Sequence, residues 1–191
     1  MKPVHVLPLA LAGAMLAMPL AAQTPARTVI HAGQLLAEPG KPARGASTIT
    51  IEAGKVISIA DGFQPADPGA TLIDLRDKYV LPGLIDSHVH LTSDAGGIAG
   101  QLEEMTLSPA AQAFNAQVNG MKTLRAGFTT VRNLGDGDGV TLALRDAIAD
   151  GKAKGPRIVD AGASISGSAG HMDGSLGYRV ELRPFFAGAG N

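Results

Sequence analysis

The feature that most restricts the fold is a change of grammar at Leu81. From there, short apolar runs alternate with helical patterns: "GLIDSHV", a segment from Ser108 to Gly127, "FTTVRNL", "VTLALRDAIAD", then "RIVDAGASI". Strands separated by helices of this length pair in parallel, because the chain must cross a sheet face before it can run again in the same direction. The helical reading is firmest for the first crossover. Ser108 and Pro109 stand as N-cap and first helical residue, and Phe114, Val118, Met121 and Leu124 recur at helical spacing before Gly127 closes the segment. Gly151 ends the second helix, and residues 164 to 191 carry no clear element.

Ahead of Leu81 the pattern is short strands. "TVIHAGQLL" leads into the Pro- and Gly-rich loop "AEPGKPARGA". "STITIEAGKVISIA" is two alternating runs about Ala53-Gly54, a β-hairpin, and "TLIDLRD" is a further strand. Such a sheet has too little core to make a comfortable domain by itself. Residues 1–22 read as a secretory signal peptide: Lys2, an apolar stretch from Leu7 to Leu20, then Ala21 and Ala22. Pro8 and Pro19 make the stretch a poor spanning helix. The expected organisation is therefore a signal over 1–22, sheet strands over 23–80 and three βα units over 81–191. Export implies a periplasmic or secreted protein with no stable membrane insertion after cleavage.

Sixteen basic residues against 17 acidic leave a formal charge of −1, which offers no footprint for nucleic acid. Without cysteine there is no disulfide, thiol nucleophile or thiolate metal site. A metal here would be held by imidazole or carboxylate. Two of the five histidines stand together in "LPGLIDSHVHLT". Residues two apart in a strand share a face, with backbones about 6–7 Å apart. Two imidazoles so placed can converge on one cation, with bonds of about 2.0–2.1 Å. His88 and His90 also sit at the carboxyl end of their strand, where parallel α/β folds place their chemistry. They are the candidate metal ligands. Asp86 shares their face, either to orient a ring or to meet solvent.

"LPGLIDSHVHLT" resembles the metal-binding signature of the amidohydrolase superfamily. "AGFTTVRNLGD" and "GKAKGPRIVDAGASISGSAGH" resemble its imidazolonepropionase-like branch, which includes exported Xaa-Pro or Xaa-Arg dipeptidases, prolidase-like enzymes and ochratoxin-hydrolysing amidases. The resemblance implies a (β/α)8 barrel beside a small β-sandwich built from both ends of the chain. On that reading this α/β chain holds sandwich strands and the first three barrel units, so the barrel is incomplete within it. The implied reaction is metal-dependent hydrolysis of the C–N bond of a small-molecule amide, a dipeptide or N-acyl amino acid, with one or two divalent ions, zinc foremost. The other ligands implied, a carboxylated lysine, two histidines and an aspartate, come from later strands, and the acid/base group is expected beyond residue 191. The rival expectations are a catalytically inert truncated fragment and a deaminase or cyclic amidase. Homo-oligomerisation of a full-length form stays open.

Five further sites complete the reading. His171, in the glycine-rich "SGSAGHMDGS" after the third strand, is a candidate substrate contact, since loops at that end of a barrel build the active site. Arg132 is a candidate partner for a substrate carboxylate, with a structural ion pair as the alternative. Asn133 stands where the resembling sequences more often have aspartate, and His31 is read as structural. "GDGDG", residues 135–139, pairs aspartates in a glycine loop but lacks a closing glutamate, and is read as a βα turn and not a calcium site.

Overall fold

The computed structural model describes residues 27–186, so the signal segment read over 1–22 lies outside the described residues. The chain divides into two compact units, one ending at Leu81 and the other beginning at Pro82.

The first unit is a four-stranded sheet: β1 (Arg27–Leu35), β2 (Ser47–Glu52), β3 (Lys55–Asp61) and β4 (Thr71–Val80), in the order β3-β2-β1-β4. β1–β2 and β2–β3 are antiparallel, while β4 lies parallel to β1. The β2–β3 connection is the hairpin expected at Ala53-Gly54. Both residues adopt positive φ (48° and 74°), the backbone twist that suits a two-residue hairpin. Ala32, Leu35 and Ile49 form a small core, with Ile30, Ala37, Ile51 and Val80 packed around it. His31 is buried here, its Nε2 donating to the Gln64 carbonyl (2.8 Å) and its ring 5.3 Å from that of Phe63. The structural reading of His31 therefore holds.

The second unit is a parallel sheet of three strands, β5 (Leu84–Val89), β6 (Phe128–Asn133) and β7 (Arg157–Asp160), in sequence order. Helices α1 (Gly97–Thr106) and α2 (Pro109–Arg125) connect β5 to β6, and α3 (Val140–Ala149) connects β6 to β7. A short α4 (Arg183–Phe186) follows. The Ser108 hydroxyl accepts from the Ala111 N–H at 3.3 Å with Pro109 at the first helical position, as the sequence indicates. Leu91, Ala116, Val131, Val140, Leu144 and Ile158 make the core between helices and sheet.

Several features depart from the sequence reading, α4 among them, since residues 164 to 191 show no clear element in the sequence. Helix α1 was not anticipated. Its N-cap is Gly96, no side chain caps it, and Gly97 and Gly100 sit within it, so the usual start signals are missing. The apolar stripe of α2 is also not its buried face. Phe114 and Val118 are 75% and 54% exposed, while the small residues Ala116 and Gly120 are the ones buried. The third strand ends at Asp160, earlier than "RIVDAGASI" suggested. Among the described residues, no helix is long and apolar enough to cross a membrane.

Candidate metal centre

β5 runs out at Val89, and its carboxyl end carries His88 and His90 on one face. The ring centroids lie 5.4 Å apart and the planes are inclined at 64°. Both residues are exposed. Their surroundings differ. The His88 N–H donates to Asp86 Oδ1 at 3.0 Å, so Asp86 closes a local backbone turn and this oxygen does not orient a ring. His90 has its ring held: Nδ1 lies 3.1 Å from the Gly135 carbonyl oxygen. A carbonyl can only accept, so Nδ1 carries the proton and the neutral ring keeps its lone pair on Nε2. A metal-binding imidazole commonly donates its second nitrogen to a backbone carbonyl in this way.

The carbonyl comes from the turn after β6, the "GDGDG" segment. Gly135 has φ 130°, a conformation open to glycine, and a Cβ there would sit 2.1 Å from Ser164 Oγ. Asp136 Oδ2 accepts the Thr141 N–H at 2.6 Å at the start of α3, consistent with a βα turn. Beside His90 opens a cavity of about 470 Å³, within the usual range for small-molecule sites. Glu103, Glu104, Asp136 and Asp138 line it, and no lysine or arginine does. Asp136 Oδ1 is buried there without a hydrogen-bond partner. The loop after the histidines is tied to α2 by Lys122 Nζ and Asp94 Oδ2 (2.7 Å). That bond holds the Asp94 carboxyl below the usual carboxylate range.

The other candidates stand apart from the pair. Arg132 is exposed and its Nε donates to the Ser87 carbonyl at 2.7 Å, a bond between neighbouring strands and not an ion pair. His171 is exposed in the loop after β7, and its neighbour Met172 lines the cavity. Asn133 is fully buried and bonded on both sides of its amide (Leu91 N–H at 3.0 Å, Thr141 Oγ1 at 2.8 Å). The sequence marked it only by its departure from aspartate. Its total burial beside an exposed Arg132 follows from strand alternation.

Two imidazoles supply half of a four-coordinate zinc site. The free Nε2 of His90 and the shared face fit that role. Among the described residues no cluster of three or more His, Cys, Asp or Glu is placed to complete one.

The amidohydrolase family profile matches residues 79–189, which include the whole of this arrangement. The chain belongs to the amidohydrolase family. Among curated relatives, ochratoxinase from Aspergillus niger is 29% identical over 177 residues, 85% of this chain and 35% of that protein. Dihydroorotase from Anaeromyxobacter dehalogenans is 32% identical over 143 residues, 74% of this chain and 30% of that protein. Among solved structures, a Xaa-Pro dipeptidase with methionine bound in its active site is similar with a TM-score of 0.74 and 37% identity, over 82% of this chain and 38% of that one. The chain thus spans about a third of the length of these relatives.

Proposed function

We propose that the chain is the metal-binding front part of an amidohydrolase that cleaves the C–N bond of a dipeptide or N-acyl amino acid, with its three parallel strands opening a (β/α)8 barrel. The observation that carries this is the histidine pair at the end of β5, one ring locked to leave Nε2 free, inside a family match that spans the site. A bound divalent cation, zinc by preference, would supply Lewis acidity and a water with a pKa of about 7. His88 and His90 would hold it. The acidic cavity lining favours the arrival of a cation beside the pair. The remaining ligands and the acid/base group are those the resemblance assigns to later strands. The Xaa-Pro dipeptidase and ochratoxinase similarities support the substrate class. The apolar segment from Leu7 to Leu20 supports export to the periplasm or the medium.

A second reading, opening of a cyclic amide, takes its support from the dihydroorotase matches. The two separate in a substrate panel. We expect the full-length enzyme with zinc to release amino acids from Xaa-Pro dipeptides and N-acyl amino acids, and to leave cyclic amides intact. Replacing both histidines (H88N with H90N) is expected to lower turnover by about a thousandfold or more and to abolish zinc uptake by metal analysis. Unchanged turnover and bound metal in that variant would remove the reading.

A further inference from the structure

The peptide groups on both sides of His90 are bonded to Asn133 and Leu134, at the end of β6 and just past it. The Val89 carbonyl accepts from the Leu134 N–H at 3.1 Å, and the Leu91 N–H donates to Asn133 Oδ1 at 3.0 Å. One residue further on, the Gly135 carbonyl takes the His90 ring. Asn133 is itself fixed. It is wholly buried, and its Nδ2 donates to Oγ1 of Thr141, also wholly buried, at 2.8 Å. Its orientation is dictated, since only Oδ1 can face the Leu91 N–H. The Leu91 carbonyl is held in turn by Asn119 Nδ2 at 3.0 Å, and the Leu91 side chain sits in the core. His90 is thus an exposed ring on a backbone clamped before and after it.

We propose that Asn133 is a positioning residue for His90, holding the backbone so that the ring reaches the Gly135 carbonyl and presents Nε2 outward. Side-chain to main-chain bonds in a buried setting hold geometry because breaking one strands a donor or acceptor away from water. The inference rests on His90 being a metal ligand, and its first readout needs no metal.

The experiment uses the 191-residue chain, ¹⁵N-labelled and metal-free, at a pH where the ring is neutral. Long-range proton–nitrogen correlations then report which nitrogen of His90 carries the proton, with H90N assigning the signal. The wild-type chain is expected to show one tautomer, protonated at Nδ1. N133L keeps the volume and removes both bonds, and is expected to give a mixture of tautomers in this chain and zinc binding about 10-fold weaker in the full-length enzyme. N133D is expected to restore the single tautomer, because its carboxylate accepts the Leu91 N–H and the Thr141 hydroxyl turns to donate to it. A folded N133L with an unchanged tautomer and zinc affinity overturns the proposal. If N133L does not fold, T141V decides, since it strips the Asn133 amide of its anchor. A mixed tautomer supports the proposal, and an unchanged one overturns it. A fixed, Asn133-dependent tautomer in the wild-type chain, together with a full-length enzyme that takes up no zinc, supports the positioning role while sinking the metal reading.

Discussion

In the N-terminal sheet, charged side chains gather at the rim. Arg27 reaches Glu52 and Asp67, Arg44 reaches Asp61, and Arg76 reaches Asp74, all with much of their surface in water. Its buried polar residues hold loops at the sheet's edge: Thr48 Oγ1 donates to the Gly62 carbonyl and accepts the Gln64 N–H in the segment after β3, and Ser47 bonds to the Gly45 carbonyl. In the βα unit, Asn133 and Thr141 are buried to zero exposure and tie the chain after β5 to the end of β6 and the start of α3. One sheet uses polar bonds to finish its own loops. The other uses them to hold the strand end that carries the histidines, which is where precision of placement matters for chemistry.

That contrast can be broken by substitutions confined to one unit. Leu144 lies in the core of the βα unit, and L144A is expected to cost about 2–5 kcal/mol. Hydrogen exchange should show faster opening in residues 82–186 and no change in β1–β4. Equal loss of protection in both units would show that they unfold together. The reciprocal change is G33A. A Cβ on Gly33 would lie 2.1 Å from the Arg76 carbonyl oxygen, where β1 and β4 shift register, so backbone must move at a cost of about 1–3 kcal/mol. The same exchange experiment should place that loss in residues 27–81 and leave the His90 tautomer untouched.

The smallest effect concerns the rim. Bonds from the Arg76 side chain and backbone lower the Asp74 pKa from 3.8 to about 2. A carboxylate depressed by folding stabilises the native state above its unfolded pKa, and that contribution is lost as pH falls from about 4 to about 2. D74N should flatten the melting temperature of the N-terminal unit over that window while leaving the βα unit unchanged. Because the pair is solvent-exposed, the shift should shrink in high salt.

The strands, the Ser108 cap and the hairpin at Ala53-Gly54 were legible because each is encoded within a few adjacent residues. Helix α1 was not, since Gly96, Gly97 and Gly100 remove the local signals and leave the segment to tertiary contacts. The period of Phe114, Val118 and Leu124 correctly gave a helix but not the face it buries. Ala116 and Gly120 take the sheet side because small residues let a helix lie close. At the site, the spacing of His88 and His90 was enough to name the pair. The roles of Asn133 and the Gly135 carbonyl were not readable, because they depend on a turn 45 residues away folding back against β5.

The clamp at position 133 is an amide, a group that neither gains nor loses a proton between mild acid and mild alkali. Its donor and acceptor ends therefore keep their assignments when the surrounding medium changes. A carboxylic acid at the same point would exchange those assignments on protonation. Here the backbone beside His90 is gripped by a neutral side chain, so the clamp itself contains no proton switch.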